Sequence, residues 1–400
     1  MSNSFVSYQQ QDQIGIIRVN NPPVNALSQA VRAGLMDALA EAKADSSQVL
    51  LILCEGRTFF AGADISEFGK PPQPPNLPEV LSVIEHFLKP VVTALHGTAL
   101  GGGLEVALAA HYRCAVPTTR LGLPEVKLGL LPGAGGTQRL PRVIGPEAAL
   151  DMMTSGAPIS AQKAQGLGLV DKLLEGELEA GAIDYCTQLI ADKKQVRPTG
   201  SMPVKTPSSP DFFDNYRNRI ARKSRGQIAP GFIIELVELA THTDIEEGLA
   251  RERERFIECR NSPQSSAMRH VFFAERATGK LPDIPADTAT LPIHSVAIIG
   301  AGTMGGGIAM CCANAGVPVV LLETKQEFLD RGMGVIRNNY ATSVKRGRFT
   351  EAQVDGFLAN VSGTTDYADI ADVDMVIEAV FENMDVKKEV FAKLDATCKP

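Results

Sequence analysis

Short apolar segments alternate with amphipathic ones along the first part of the chain. Residues 13–19 and 48–54 are short, β-branched and apolar, which predicts buried strands. Between them, residues 28–43 carry apolar positions at helical spacing behind Ser28, a residue type that favours the N-cap position. The same alternation continues through residues 91–116. It predicts a layered α/β fold with much parallel sheet.

The pattern changes in the later part of the chain. Residues 187–280 indicate helices rich in charge, and within them residues 250–260 are expected to be mostly a solvated helix face. Residues 281–292 contain three prolines and no apolar periodicity, which predicts a linker between domains. An apolar strand pattern begins again at residue 295, so a second α/β unit is expected there.

A proline-rich segment lies at residues 71–78, where five of eight residues are proline. That density predicts an extended loop, because proline cannot donate to a helix interior or a central strand. Two interpretations stay open: a surface linker, or a lid beside a site.

Composition excludes several classes of protein. The net charge of −7 and the pI of about 5.5 argue against nucleic acid or an anionic membrane as the main partner. Residues 91–110 are strongly apolar, but His96 and Glu105 disfavour a membrane span, so no membrane insertion is expected. Seven cysteines without a CxxC spacing favour neither a disulfide framework nor a metal site. A reducing, cytoplasmic location is the default expectation, and a peroxisomal location stays open.

The block from His96 to Gly145 carries the first candidate chemistry. The glycines at 101–103 follow a predicted strand and open a helix, where free N–H groups suit a developing oxyanion. Glu105 and Glu125 lie in apolar surroundings, which is typical of paired acid and base groups. A structural interpretation is also open, in which Glu105 complements the helix dipole and Glu125 belongs to a buried ion pair.

Three motifs together resemble the crotonase, or enoyl-CoA hydratase/isomerase, superfamily over residues 10–190. They are AGADI at 61–65, HGTALGGGLE at 96–105 and LPEVKLGLLPGAGGTQRLPR at 123–142. The resemblance implies a spiral of ββα units that binds acyl-CoA and associates as trimers or pseudo-trimers, so self-association is expected.

The same resemblance assigns roles to individual residues. The N–H groups of Ala63 and Gly102 are expected to hold the thioester oxygen, and Glu105 and Glu125 align with the two catalytic glutamates of the family. Hydration of a 2-enoyl thioester then assigns the water to Glu105 and the C2 proton to Glu125. Glu125 is also expected to move a proton between C2 and C4, which gives Δ3–Δ2 isomerase activity.

A glycine-rich turn opens the second α/β unit at residues 295–324. Gly300, Gly302 and Gly305 form a GxGxxG motif between an apolar strand and a helix, and Glu323 ends the next strand. The glycines predict a tight turn, close approach of a pyrophosphate and close helix packing. Glu323 is placed to accept hydrogen bonds from an adenosine ribose, and its charge favours NAD over NADP.

Residues 295–400 resemble the NAD domain of 3-hydroxyacyl-CoA dehydrogenases. In the strand–loop–helix pattern at 371–395, the resemblance implies that Ala379, Glu382 and Lys387 lie near the nicotinamide end of the cofactor. That family uses a His–Glu pair for alcohol deprotonation, yet no histidine follows His294 in this chain. The 400 residues are therefore expected to be the front part of a longer protein.

In this order, the two halves resemble the bifunctional hydratase/dehydrogenases of fatty-acid β-oxidation. The linker helix, at about 255–280, is expected to pack back on the hydratase part, with Arg276 or Lys280 reaching a CoA phosphate. The expected domains are a crotonase-fold core at 1–190, a helical part with the linker helix at 191–280, a linker at 281–294 and an incomplete NAD-binding Rossmann domain at 295–400.

Two other functions stay open at this point. One is another acyl-CoA reaction of the same superfamily, such as thioester hydrolysis or decarboxylation. The other is a non-catalytic sensor of acyl-CoA or NAD. Turnover of crotonyl-CoA separates the hydratase from the sensor.

Overall fold

A computed structural model describes residues 5–64, 67, 71, 73–279, 281–285 and 287–399. It divides into two compact units, Met1–Lys280 and Leu281–Pro400. The finer division of the first unit at residue 190 and the extent of the linker stay predictions.

The first unit contains a mixed sheet and a set of helices on both of its faces. Its strands are β1 (Val6–Gln11), β2 (Ile14–Val19), β3 (Val49–Cys54), β4 (Val91–Leu95), β5 (Thr98–Leu100), β6 (Tyr112–Ala115), β7 (Arg120–Gly122), β8 (Ile159–Ser160) and β9 (Lys172–Leu173). Its helices are α1 (Gln29–Ala44), α2 (Leu77–Glu85), α3 (Gly102–Ala109), α4 (Gly136–Ile144), α5 (Pro146–Ser155), α6 (Ala161–Leu167), α7 (Leu178–Ala191), α8 (Phe212–Ser224), α9 (Ile228–Leu239), α10 (Ile245–Asn261) and α11 (Pro263–Thr278). Short 3-10 helices lie at Glu125–Leu128 and Thr199–Ser201.

Six strands form the main sheet in the order β1-β2-β3-β4-β6-β9. Only the β1–β2 pair of this sheet is antiparallel. Every residue of β3 is buried, as expected for a central strand covered on both faces. Leu50 and Ile52 point into the larger core, whereas Leu51 and Leu53 point into a second core that includes side chains of α7.

A smaller sheet, β5-β7-β8, holds the predicted catalytic block. The stretch at 91–110 forms strand β4, strand β5, a glycine turn and the buried helix α3, which confirms the expected strand, glycine loop and helix. The 3-10 helix with Glu125 follows β7 directly.

The prediction of a loop throughout 71–78 is wrong for its last two residues. Helix α2 begins at Leu77, with Pro78 in its first turn and Asn76 as its N-cap. Proline is tolerated there because the first N–H groups of a helix have no partner within the helix. The Asn76 side chain and Glu79 form a reciprocal capping box, which fixes the start of the helix.

The prediction of a solvated face at 250–260 also needs correction. Most charges of α10 are exposed or half-buried, but Glu252 is 1% exposed and Cys259 is fully buried. Both side chains lie on the face of α10 that packs on the rest of the unit. A count of charges does not show which face of a helix each charged side chain occupies. Glu252 is buried because it lies on the face that packs against the rest of the unit.

The second unit is a parallel sheet in the order β12-β11-β10-β13 with helices around it. Its strands are β10 (Val296–Ile299), β11 (Val319–Leu322), β12 (Val361–Thr364) and β13 (Met375–Glu378). Its helices are α12 (Thr303–Asn314), α13 (Gln326–Lys345), α14 (Glu351–Ala359) and α15 (Met384–Thr397), with a 3-10 helix at Tyr367–Ile370. The prediction of a second α/β unit from residue 295 is confirmed.

Across the described parts of both units, no helix combines the length and the apolar character that a membrane span requires.

Candidate active site

Two glycine-containing turns meet at the start of α3. Leu27 N donates to Gly62 O at 3.0 Å, which fixes the turn that carries Ala63. A Cβ placed on Gly102 would lie 3.4 Å from Ala63 N, so the two predicted oxyanion donors are neighbours. Among the hydrogen bonds of the described residues, none uses the N–H of Ala63 or of Gly102. Both N–H groups are therefore available to a ligand atom.

The glycines of this turn are required for different reasons. Gly101 has φ +52°, a left-handed conformation that side chains rarely adopt. A Cβ on Gly103 would lie 2.1 Å from Phe60 O, so only glycine allows α3 to approach the neighbouring chain segment. These two constraints place the N-terminus of α3 against the Ala63 turn.

Glu105 lies in the first turn of α3 and is 3% exposed. Its Oε1 accepts hydrogen bonds from Ala134 N at 2.8 Å and Gly136 N at 2.9 Å. Burial raises the pKa of Glu105, whereas the two N–H donors and the nearby Arg139 oppose that rise. Because both donors stabilise the ionised form, Glu105 is suited to act as a base.

Glu125 begins the 3-10 helix and faces the same turn from the other side. A Cβ on Gly101 would lie 2.9 Å from Glu125 Oε1. The residue keeps some exposure, but its Oε2 is buried and has no hydrogen-bond partner among the described residues. Burial, and then the charge of Glu105, raise the pKa of Glu125 well above its usual value. A carboxyl in that situation favours the protonated form and is suited to donate a proton.

The turn that holds Glu105 is the N-terminus of α4. The first N–H groups of a helix have no acceptor within the helix, so they bind acceptors from elsewhere. Here they bind two glutamates in alternation. Ala134 N and Gly136 N donate to Glu105, while Gly135 N and Thr137 N donate to Glu252 at 2.6 Å and 2.9 Å.

A buried ion pair braces the same turn. Arg139 Nη2 lies 2.7 Å from Glu85 Oε2, and the side chains are 4% and 3% exposed. Arg139 Nη1 also donates to Ala134 O at 2.9 Å, while Glu85 Oε1 accepts from Gly200 N at 2.7 Å. Arg139 thus holds the carbonyl of the same residue whose N–H holds Glu105.

Glu252 is a residue of this site that was not predicted from the sequence. A signal existed, because Gly248, Glu252, Phe256 and Cys259 follow one another at spacings of four, four and three residues along one face of α10. Read as a face rather than as a charge run, that stripe predicts a buried position for Glu252.

Helix α11 packs on the 3-10 helix that carries Glu125. Ser265 Oγ donates to Leu128 O at 2.8 Å, and a Cβ on Gly129 would lie 2.9 Å from Ser265 Cα. Arg276 is exposed near the other end of α11, with its guanidinium 3.9 Å from the centre of the Phe272 ring. The structure does not bring Arg276 to the Glu105–Glu125 cluster, and Lys280 lies outside the described residues.

The glycine turn of the second unit has the geometry that a dinucleotide requires. Gly300 has φ +104°, and a Cβ on Gly305 would lie 1.8 Å from Gly300 O, so helix and turn touch closely. No atom lies within 4 Å of a Cβ placed on Gly302, which leaves that side of the turn open. Glu323 follows β11 and accepts from Ala301 N at 2.9 Å. These residues fit the adenosine and pyrophosphate parts of NAD.

The residues predicted near the nicotinamide lie between the end of β13 and the start of α15, with Lys387 inside that helix. A Cβ on Gly300 would lie 2.8 Å from Ala379 O, so Ala379 borders the glycine turn. Lys387 Nζ lies 3.0 Å from Glu382 Oε2 and 3.3 Å from Glu378 Oε2. Glu378 is a member of this group that the sequence analysis did not single out.

In the described part of the chain, no cluster of three or more His, Cys, Asp and Glu side chains is arranged to hold a metal ion.

Comparison with known proteins identifies both units. Residues 9–202 match the family model described as enoyl-CoA hydratase/isomerase, and residues 295–400 match the NAD binding domain of 3-hydroxyacyl-CoA dehydrogenase. The crystal structure of an enoyl-CoA hydratase/isomerase from Pseudoalteromonas atlantica superposes with a TM-score of 0.50 at 24% identity, covering 68% of this chain and 97% of that one. The predicted fold class, a crotonase-type unit followed by a Rossmann-type NAD-binding domain, is confirmed.

Curated relatives join the two units in the same order. The peroxisomal bifunctional enzyme of Danio rerio is 39% identical over 393 residues, which is 97% of this chain and 54% of that protein. The Homo sapiens protein of the same name is 37% identical over 399 residues, with the same shares. The peroxisomal fatty acid beta-oxidation multifunctional protein AIM1 of Arabidopsis thaliana is 36% identical over 406 residues, covering 97% and 56%. The chain therefore spans about half the length of these relatives. The chain thus joins a region that matches enoyl-CoA hydratase/isomerase and a region that matches the NAD binding domain of 3-hydroxyacyl-CoA dehydrogenase, and over nearly its whole length it is similar to about half of these bifunctional and multifunctional proteins.

Proposed function

We propose that the first unit hydrates 2-trans-enoyl-CoA to 3-hydroxyacyl-CoA. One observation carries the proposal. Two N–H groups that have no acceptor among the described residues lie beside two carboxyl groups, one held by two N–H donors and one whose buried oxygen has no partner in that same part of the chain. Base, acid and oxyanion donors are the groups that addition of water to an enoyl thioester needs.

The proposed chemistry divides the work between the two glutamates. Addition of water at C3 places negative charge on the thioester oxygen, and the N–H groups of Ala63 and Gly102 stabilise that charge. Glu105 takes a proton from the water molecule while the water oxygen forms its bond to C3. Glu125 then delivers its proton to C2, which collapses the enolate to the saturated thioester.

The test is incubation of the protein with crotonyl-CoA. We expect the absorbance of the conjugated thioester to fall and 3-hydroxybutyryl-CoA to appear by mass spectrometry, without release of free CoA. Release of the free thiol would instead indicate thioester hydrolysis, and the absence of any turnover would favour a binding protein.

We expect the same site to isomerise 3-enoyl-CoA to 2-enoyl-CoA more weakly than it hydrates. The step moves one proton between C2 and C4 through a dienolate held by the oxyanion donors, so it needs Glu125 more than Glu105. Glu125→Gln should therefore lower isomerisation more than Glu105→Gln does, measured by the rise in conjugated thioester absorbance. Equal losses in the two variants would contradict this division of roles.

For the second unit we propose NAD as the cofactor. Gly300, Gly302 and Gly305 would hold the pyrophosphate, Glu323 the adenosine ribose, and Ala379 with the Lys387–Glu382 pair would border the nicotinamide. Bound NAD supplies a hydride acceptor. The carboxylate of Glu323 would repel a 2′-phosphate, so NAD is favoured over NADP.

The 400-residue chain by itself is expected to form no NADH from 3-hydroxybutyryl-CoA. Oxidation of the 3-hydroxyl needs a base that takes the hydroxyl proton near neutral pH, and no histidine follows His294 to serve. The measurement is NADH fluorescence, with NAD and substrate in excess. Steady NADH formation would show that another residue of the chain acts as the base.

A cytoplasmic location stays a prediction; the names of the relatives place those proteins in peroxisomes or glyoxysomes. Self-association and a CoA phosphate contact at Arg276 or Lys280 also stay predictions.

A further inference from the structure

We propose that Glu252 is a positioning residue for the hydration reaction, which it serves by holding the turn that presents Ala134 and Gly136 to Glu105. The inference rests on the hydratase function proposed above. It assigns a role in that reaction to the helical part of the unit, on an element more than 100 residues from Glu125 in the sequence.

The backbone of residues 134–137 is shared between two carboxyl groups. Oε1 of Glu252 accepts from Gly135 N at 2.6 Å, and Oε2 accepts from Thr137 N at 2.9 Å and from Thr137 Oγ1 at 2.5 Å. The intervening Ala134 N and Gly136 N point to Glu105. Because the two sets of N–H groups alternate along one short segment, a shift of either carboxyl displaces the donors of the other.

Among the described residues, the buried carboxyl group of Glu252 has no cationic partner to compensate its charge. It is 1% exposed, and among the described residues no lysine, arginine or histidine forms a salt bridge with it. Burying such a group without a cation is costly, and its three hydrogen bonds provide the compensation. All three hydrogen bonds come from the turn that holds Glu105, so the contacts of Glu252 serve to position that turn.

The charge of Glu252 also raises the pKa of Glu125, the proposed proton donor. The groups that face this cluster are Glu105 from α3, Glu125 from the 3-10 helix, and Arg139 from α4 with its partner Glu85 from α2. Glu252 also lines a cavity of about 490 Å³, together with Arg139, Glu85, His86, Glu79, Glu246 and Arg253. Burial and the charge of Glu105 raise the pKa of Glu252 to about 8. At a pH above this pKa Glu252 is ionised, and its negative charge helps to keep Glu125 protonated.

Two variants separate these effects. Glu252→Gln removes the charge and leaves one of the N–H groups facing an amide donor. Glu252→Asp keeps the charge but is one methylene too short to reach both Gly135 and Thr137. Glu247→Gln is the matched control, because Glu247 is exposed on the same helix.

We expect kcat for crotonyl-CoA hydration to fall about 10- to 100-fold in both Glu252 variants with little change in KM, because the base is misplaced. Loss of the negative charge of Glu252 lowers the pKa of Glu125, so Glu125 loses its catalytic proton at a lower pH. The alkaline limb of the kcat–pH profile should therefore move to lower pH in Glu252→Gln and stay in place in Glu252→Asp. Amide hydrogen exchange of a peptide spanning residues 133–139 should speed up in both variants and not in Glu247→Gln.

The outcomes are distinct. Folded Glu252 variants with wild-type kcat, wild-type pH limb and wild-type exchange would overturn the inference and leave the hydratase function intact. A loss of activity that only follows a loss of folded protein, with the pH limb unmoved in Glu252→Gln, would also overturn it. Absence of hydration by the wild-type protein would overturn the proposed function, and the inference would fall with it.

Discussion

Replacement of Glu105 or Glu125 by glutamine is expected to lower kcat for crotonyl-CoA hydration by at least about 100-fold, since positioned acid–base catalysis contributes roughly 10²–10⁴-fold. Glutamine at 105 still accepts hydrogen bonds from the turn but takes no proton from water. Glutamine at 125 has no acidic proton to give to C2. Steady-state kinetics with circular dichroism of each variant measures the loss against the state of the fold.

The control for this prediction is an exposed glutamate outside the site. Glu247→Gln changes the same chemical group on the same unit and should keep kcat within about twofold of wild type, as expected for a surface position. A folded Glu105 or Glu125 variant with near-normal kcat would remove that residue from the mechanism.

Replacement of Arg139 by methionine is expected to lower the free energy of unfolding of the first unit by about 3–5 kcal/mol. Glu85 would be left as a buried charge without its cation, and breaking a buried pair from one side costs that amount. The variant should also lose hydration activity, because Arg139 holds the carbonyl of Ala134. Urea unfolding followed by circular dichroism measures the change.

Two further variants control the Arg139 prediction. Arg219→Met breaks an exposed pair with Asp151 and should cost no more than about 1 kcal/mol. The double variant Glu85→Met with Arg139→Met removes both charges and should recover part of the loss. A loss for Arg139→Met no larger than that for Arg219→Met would show that Glu85 does not depend on its cation.

The local parts of the active site could be predicted from the sequence because they depend on a few neighbouring residues. A glycine turn after an apolar strand fixes a helix start, and Glu105 four residues beyond Gly101 must lie in the first turn of that helix. The same argument holds for Gly300, Gly302 and Gly305 in the second unit. Gly102 and Ala63 could be paired only through the family resemblance, because the contact between their turns spans 39 residues.

The environment of each glutamate could not be predicted in this way. The donors to Glu105 are 29 and 31 residues away, and those to Glu252 are 115 and 117 residues away. Whether a carboxyl is ionised depends on these distant N–H groups and on burial, and neither is a property of local sequence. The charged neighbours of Glu252 on α10 predict a solvated helix face, although the face that carries Glu252 itself is buried.

The exchange of C2 protons tests the division of roles between the two glutamates most directly. A saturated acyl-CoA such as butyryl-CoA has a C2 proton that can be removed to give an enolate, but it has no double bond for water to attack. Incubation in D2O followed by NMR therefore reports on the C2 base and the oxyanion donors without the water-activating group. We predict that the wild-type protein and Glu105→Gln exchange the C2 proton for deuterium while Glu125→Gln does not. Exchange of the C2 proton by Glu125→Gln at the wild-type rate would contradict this division of roles. Loss of exchange in Glu105→Gln but not in Glu125→Gln would also contradict it.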